Sequence, residues 1–300
     1  MREARTTTVL PTVGGGTATF GPGDPGVMAV INRSTDSFYV SSDSTERAVE
    51  AALTAHEAGA AVVDIGGVRA GRGPEVSVAE EIDLVRPVVT ALADRVPDLV
   101  VSVDTWRAEV GEAVAAAGAG LLNDTWAGAD PDLARVAGAH GVALVCSHTG
   151  GLPPRTDAHR NSYGQVSTDV RDAVRAGLDM LVDRARAAGV PDDRIIVDPT
   201  PDFGKNTRQS LAVVDGLADL CAGPHGVLLA ISRKDFVGEA TGAADPADRL
   251  AGTVAATALA IDAGVALVRA HDTAASVQTI DMVLAVRGLR DPRRSVRGLR

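Results

Sequence analysis

The sequence predicts one (β/α)8 TIM barrel of the α/β class, on two observations. Eight short, almost wholly apolar runs recur along the chain. They are VMAVIN (27–32), AAVVDIGG (60–67), DLVVSVDT (98–105), GLLNDT (120–125), VALVCSHT (142–149), RIIVDPT (194–200), GVLLAISRK (226–234) and ALVRAHD (266–272). Continuous apolar runs of this length suit strands of a parallel sheet buried on both faces. Between them, Ala-rich segments such as STERAVEAALTAHEAGA place apolar residues three and four apart, which is the helical period. Several close on a glycine just before the next strand, at Gly59, Gly118, Gly189 and Gly264, the usual helix-ending role. Eight strand–helix units in one domain-sized chain indicate a closed barrel. An open doubly wound sheet is the competing reading. It usually has fewer strands, and no GxGxxG follows the first strand here.

The barrel spans residues 26–290. Residues 1–25 are rich in Thr, Gly and Pro and read as a flexible N-terminal arm. Residues 291–300 form a basic C-terminal tail, and the turn-rich stretch after the fifth strand reads as an active-site loop.

Composition narrows the function classes. At 45% hydrophobic and 23% charged residues, the 300-residue chain is globular rather than disordered. Its 29 Lys and Arg against 39 Asp and Glu leave a net charge of −10, which argues against general nucleic-acid binding. No apolar run approaches the ~20 residues of a membrane span, and the start has no secretory apolar segment. Cys146 and Cys221 lie far apart and form no paired motif, so a reduced cytoplasmic setting is expected. Of the 29 basic residues 27 are Arg, which singles out Lys205 and Lys234.

The carboxyl ends of barrel strands build the active face. In order they read Asn32, Asp64, Asp104, Asn123 with Asp124, His148, Asp198, Lys234, and Arg269 with His271. A polar side chain ending a buried strand must reach solvent, pair, or line a pocket. Asp104, Asn123, Asp198 and Lys234 suit the edge of a flat heterocycle. Carboxylates take guanidine-like N–H pairs, Asn offers donor and acceptor, and Lys donates to a ring carbonyl or nitrogen. Asn32, Arg269 and His271 suit phosphate oxygens, with Asn32 also a ligand for a hard metal ion.

On these motifs the chain resembles dihydropteroate synthase over about residues 26–290. They are NRSTDSF (32–38), VVDIGG (62–67), SVDTWRAEV (102–110), LLNDTW (121–126), DPTPDFGKN (198–206), ISRKDFVGE (231–239), RLAGT (249–253) and RAHD (269–272). The resemblance implies transfer of the pterin from 6-hydroxymethyl-7,8-dihydropterin diphosphate to para-aminobenzoate, with release of pyrophosphate. It implies that Asp104, Asn123, Asp198 and Lys234 hold the pterin. Asn32, Arg269 and His271 would hold the diphosphate with Mg²⁺, Asn32 being the metal ligand. Asp36, Asp104, Lys234 and Arg269 would be catalytic. Asp36 would stabilise the pterin cation left when pyrophosphate departs, and cationic Arg and His would stabilise the leaving group. A homodimer formed through the later helices is implied as well, with no nucleic-acid or membrane partner.

Departures from the family cluster on the acceptor side. After VDIGG the chain reads VRAGRGPEV, without the Ser-Thr-Arg-Pro element that closes over para-aminobenzoate. The first loop has Ser34-Thr35 in place of Thr-Pro. Asp235 stands where a Ser normally helps a helix start receive the aminobenzoate carboxylate. Two carboxylates ~4 Å apart at an effective dielectric of ~20 repel by about 4 kcal/mol; as a helix cap, Asp235 needs no other function. Thr-Pro-Asp follows Asp198-Pro199 where the family has Gly-Ile-Gly, and Ser147 replaces a Met. This pattern resembles the divergent second actinobacterial paralogue of the family. The expected function is pterin diphosphate binding with a degraded para-aminobenzoate site. The alternatives are a non-catalytic pterin- or partner-binding paralogue and a methyltetrahydrofolate-type methyltransferase.

Overall fold

A computed structural model describes residues 7–32, 45–156, 163 and 167–297. Eight parallel strands close into a barrel. They are β3 (Gly26–Asn32), β4 (Val62–Gly66), β5 (Val100–Asp104), β6 (Leu121–Asp124), β7 (Ala143–Ser147), β8 (Ile195–Asp198), β9 (Gly226–Ala230) and β10 (Leu267–Ala270). Seven lie within the expected apolar runs, and β3 begins one residue before its run, at Gly26. β10 closes on β3, with Arg269 beside Met28. The open-sheet alternative is therefore excluded.

Helices alternate with the strands: α1 (Thr45–Glu57), α2 (Val78–Arg95), α3 (Ala108–Ala115), α4 (Asp132–His140), α5 (Ser167–Ala187), α6 (Thr207–Asp215), α7 (Leu217–Cys221), α8 (Asp235–Thr241), α9 (Leu250–Ala263) and α10 (Thr273–Val286). Local chemistry sets several boundaries. Ser77 and Glu80 form a reciprocal capping box that starts α2, and Asn206 and Gln209 do the same for α6. Gly59, Gly118, Gly189 and Gly264 all have positive φ, so the helix-to-strand reversals use glycine as expected.

The core has two shells. The outer one lies between the strands and the helix ring and includes Val63, Val101, Leu122, Leu144 and Val227. The inner one fills the barrel axis with Met28, Val62, Val100, Leu121, Val145, Ile196, Leu228 and Leu267.

Two further strands were not expected. β1 (Thr8–Pro11) and β2 (Thr17–Phe20) pair antiparallel. From residue 8 to 20 the chain is thus a hairpin rather than a loose arm. Leu10 and Phe20 are buried and join the axial cluster, so the hairpin caps the amino-terminal mouth of the barrel. Contact there is close. A Cβ on Gly120 would sit 1.9 Å from the Pro11 carbonyl oxygen, and one on Gly226 2.0 Å from Thr8 Oγ1. At the other end of the chain, Arg290 bonds both Asp24 and Asp281, and Arg293 also meets Asp281. Among the described residues neither Cys146 nor Cys221 forms a disulfide. Among the described residues no helix is long and apolar enough to cross a membrane.

Candidate functional site

Strand side chains alternate between faces, so the axial apolar layer fixes what lies above it. Two residues beyond Val62, Val100, Leu121, Val145, Ile196 and Leu267 stand Asp64, Ser102, Asn123, Ser147, Asp198 and Arg269. Four beyond Met28, Val100 and Leu267 stand Asn32, Asp104 and His271. The carboxyl-terminal mouth is therefore polar while the axis below it is apolar. The same parity separates residues that sequence order had grouped. Asp124 lies on the opposite face, where it accepts from the Trp126 and Gly128 amides. Burial raises its carboxyl to about 7. His148 follows Ser147 and points at α5, where a Cβ on Gly177 would be 2.6 Å from its ring. Neither belongs to the mouth.

Arg269 ties the mouth together. Its Nε donates to Asp64 at 2.6 Å and its Nη2 to Asp104 at 3.0 Å. Asp64 is fully buried and also accepts from Ser102 Oγ at 2.6 Å and Asn123 Nδ2 at 3.0 Å. Asp104 accepts from Thr125 at 3.0 Å as well. Removal from water raises the Asp104 carboxyl to about 7, against the opposing pull of Arg269. Gly66 lies between Asn32 and Asp104: a Cβ there would be 3.6 Å from Asn32 Oδ1 and 3.7 Å from the Asp104 Cβ. Arg269, expected on the diphosphate side, is thus hydrogen-bonded to Asp104 and, through Asp64, linked to Asn123, both expected on the pterin side.

Asp198 ends β8, buried, and accepts from the Thr200 amide at 2.7 Å. Burial raises its carboxyl while Lys234 and Lys205 pull it down. Lys234 caps α8 from the backbone side. Its Nζ donates to the Pro201 carbonyl at 2.7 Å and lies 4.9 Å from the centre of the Phe203 ring. Phe203 in turn meets the buried Trp126 edge-on at 5.4 Å. Lys205, fully buried, bonds the carbonyls of His148, Thr200 and Phe203 and so fixes the turn after β8.

His271 differs from the expectation. Desolvation first, and then the charge of Arg269, pushes its ring down to about 4, so it is neutral near pH 7 rather than cationic. Its Nδ1 lies 3.1 Å from Ser232 Oγ. Arg269, whose guanidinium is held charged by Asp64 and Asp104, is the cation beside it. Asp235 also differs. It makes no cap bond; its carboxylate pairs with Arg249 at 2.7 Å. Arg233 is a structural clamp, forming a two-point ion pair with Asp272 and bonds to the Pro246 and Ala247 carbonyls. Asp36 lies outside the described residues.

Asn123 Oδ1 and Ser147 Oγ, both buried at the mouth, have no hydrogen-bond partner among the described residues. Leaving buried polar atoms unpaired is costly, so these two atoms fit a ligand that brings a donor. Among the described residues no group of three or more His, Cys, Asp or Glu is arranged to hold a metal ion. Asn32 at the end of β3 offers one side-chain oxygen, and a hard cation whose other ligands are waters and phosphate oxygens takes only one or two from protein. The sequence reading missed Ser102 and the central place of Asp64. The period-two register of the strands carries the signal for both.

This barrel and its polar mouth belong to the pterin-binding enzyme family, whose model matches residues 28–271. Within that family the chain is a dihydropteroate-synthase-like barrel. It is 46% identical to a protein of Mycobacterium tuberculosis (strain H37Rv) named inactive dihydropteroate synthase 2, over 91% of this chain and 86% of that one. It is 34% identical to a dihydropteroate synthase of Synechocystis, over 84% and 86% of the two chains. Among solved structures it is similar to the Xanthomonas albilineans dihydropteroate synthase with 4-aminobenzoic acid. There the TM-score is 0.83 and the identity 35%, covering 94% of this chain and 99% of that one.

Proposed function

We propose that this chain binds 6-hydroxymethyl-7,8-dihydropterin diphosphate at the barrel mouth and does not condense it with para-aminobenzoate. The supporting observation is the pair of unpartnered buried atoms, Asn123 Oδ1 and Ser147 Oγ, set among Asp104, Asp198 and Lys234. The carboxylates take the guanidine-like edge of the pterin, Asn123 its neighbouring donor, and Lys234 a ring acceptor. Arg269 and His271 face the diphosphate. Asn32 would hold Mg²⁺, which would neutralise the diphosphate charge. The retained diphosphate residues also support a second reading, transfer to another acceptor. In that case the pterin-methylene C–O bond breaks, an acceptor nitrogen bonds the same carbon, and pyrophosphate leaves.

The test is calorimetric binding of the pterin diphosphate with Mg²⁺, beside a pyrophosphate-release assay with and without para-aminobenzoate. Binding without aminobenzoate-dependent release is expected. Release that requires para-aminobenzoate would sink the proposal.

Asp104 gives a pH signature. A pterin N–H edge favours its ionised form. Binding of 6-hydroxymethyl-7,8-dihydropterin at pH 6 should therefore release protons, and affinity should rise with pH until about 7. Calorimetry in buffers of different ionisation enthalpy reads the proton count. Zero release at pH 6 would remove Asp104 from the contact.

The later helices support a homodimer. Leu259, Met282 and Val286 on α9 and α10 are 65%, 64% and 70% exposed, an apolar face of the kind that marks interfaces. Sedimentation equilibrium at micromolar concentration should give twice the 30.6 kDa chain mass. A single-chain mass would dismiss the dimer. That neither cysteine forms a disulfide among the described residues supports a reduced, cytoplasmic setting.

A further inference from the structure

Two segments of the carboxyl-terminal face contribute no side chain to the mouth described above. One is the β4–α2 connection, VRAGRGPEV (68–76); the other is the start of the turn-rich stretch after β7. The structure joins them. Arg155, from the second, donates through Nη1 to the Pro74 carbonyl at 2.9 Å and through Nε to the Gly71 carbonyl at 3.3 Å.

The joint is built from both sides. Arg155 has a φ of 61°, a region that residues with side chains rarely adopt. It follows Pro153 and Pro154, whose rings fix the backbone before it. Thr156 Oγ1 closes the turn on the Pro153 carbonyl at 2.9 Å. Such backbone outliers persist where their surroundings over-determine them, and here the turn aims one guanidinium at two carbonyls. On the other side, Arg107 Nη2 donates to the Val76 carbonyl at 2.8 Å while its Nη1 pairs with buried Glu81. The Ser77–Glu80 capping box follows directly. The connection is therefore fastened at Gly71, Pro74, Val76 and Ser77.

Strand order says what lies beneath. β5 and β6 stand between β4 and β7 in the barrel, so a bridge between the loops of β4 and β7 passes over the β5–β6 side of the mouth. The ends of those two strands carry Asp104 and Asn123. Asn123 is 1% exposed and the Asp104 side chain 17%, although both stand at the open end of the barrel.

We propose that Arg155 is a positioning residue that holds the β4–α2 connection as a fixed roof over the β5–β6 side of the mouth, so that ligands enter and leave over the β8–β10 side. The inference rests on the pterin-barrel reading above and concerns how a ligand reaches the site, not what it touches there. The segment that the family resemblance implies closes over an acceptor is, in this chain, tied down before any ligand arrives.

The test uses the full chain and two variants. Arg155→Gly suits the left-handed backbone and removes the guanidinium. Arg155→Asn also tolerates that backbone but is too short to reach either carbonyl, so it separates loss of the bridge from the flexibility of glycine. Amide hydrogen exchange over residues 68–76 should quicken about tenfold or more in both variants, with β4 and α2 unchanged. Stopped-flow fluorescence with 6-hydroxymethyl-7,8-dihydropterin should show association and dissociation quickening together, by about threefold or more, with Kd nearly unchanged. Unaltered exchange over 68–76 in either variant would overturn the proposal. So would unaltered rates, or a weaker Kd carried by dissociation alone, which is the mark of a residue in direct contact with the ligand. If the unaltered chain binds no pterin, the pterin reading falls, while exchange over 68–76 still decides whether Arg155 holds the connection.

Discussion

Replacing Asp198 with alanine should weaken pterin binding by two orders of magnitude or more. The carboxylate ends β8 inside the mouth, buried, with one oxygen fixed by the Thr200 amide. Both lysines of the chain, Lys205 and Lys234, act on it. A bound pterin would donate an N–H pair to it, and hydrogen bonds to a charged group contribute about 1.5–3 kcal/mol each. Losing the pair costs a factor of ~100 or more at ~1.4 kcal/mol per tenfold. The lysine charges add to the loss, since Lys234 would then face the ligand without its counter-charge. Calorimetry reads the affinity and near-ultraviolet circular dichroism confirms the fold. An Asp198→Ala protein that binds within threefold of the unaltered chain would show that the pterin does not sit on β8.

The largest stability effect is expected at Arg107→Ala. Glu81, in the first turns of α2, is fully buried, and its Oε2 accepts from Arg107 Nη1 at 2.8 Å. Arg107 also bonds the Val76 carbonyl, tying the β4–α2 connection to the β5–α3 turn. Removing one partner of such a pair leaves an uncompensated buried charge and costs about 3–5 kcal/mol. Burial already raises the Glu81 carboxyl, with Arg107 among the groups opposing the rise. Without Arg107 the folded state holds the Glu81 proton more tightly than the unfolded chain does. The deficit should therefore be small at pH 4 and grow as pH rises through the raised folded value. Urea unfolding at pH 5 and pH 8 measures it. Adding Glu81→Leu should recover most of the loss, because an apolar pair of similar volume is often neutral. A pH-independent deficit would mean that packing of the Arg107 stem, not charge, was lost.

The barrel strands were legible because each is a continuous apolar run that must be buried on both faces. The mouth was legible because Asn32, Asp104, Asn123, Asp198 and Arg269 break those runs at corresponding points. What escaped has a physical reason in each case. TVLP and TATF are four residues each, flanked by Gly and Pro, and gain their burial only from a barrel already formed. Arg269 meets Asp64 across 205 residues because the last strand closes on the first. Composition placed it with phosphate, whereas register places it among carboxylates. Asp235 read as a cap from its helix-start position, yet Asp202, 34 positions before Phe236, takes the Phe236 amide. A left-handed turn put Asp202 there, and the sequence signalled it only as the loss of two glycines. His271 read as a cation because its type allows it. Its neutrality comes from burial and a neighbouring arginine, neither visible in RAHD.

The hairpin under the barrel makes the molecule a cup, stoppered at one end and open at the other. Leu10, Phe20 and the apolar axis seal the base, while the ligand-facing chemistry sits on the rim. Mutations that reshape the rim leave that seal untouched. Such a vessel can lose an acceptor without first losing its fold. An old enzyme scaffold built this way can be repurposed by changes confined to its rim loops.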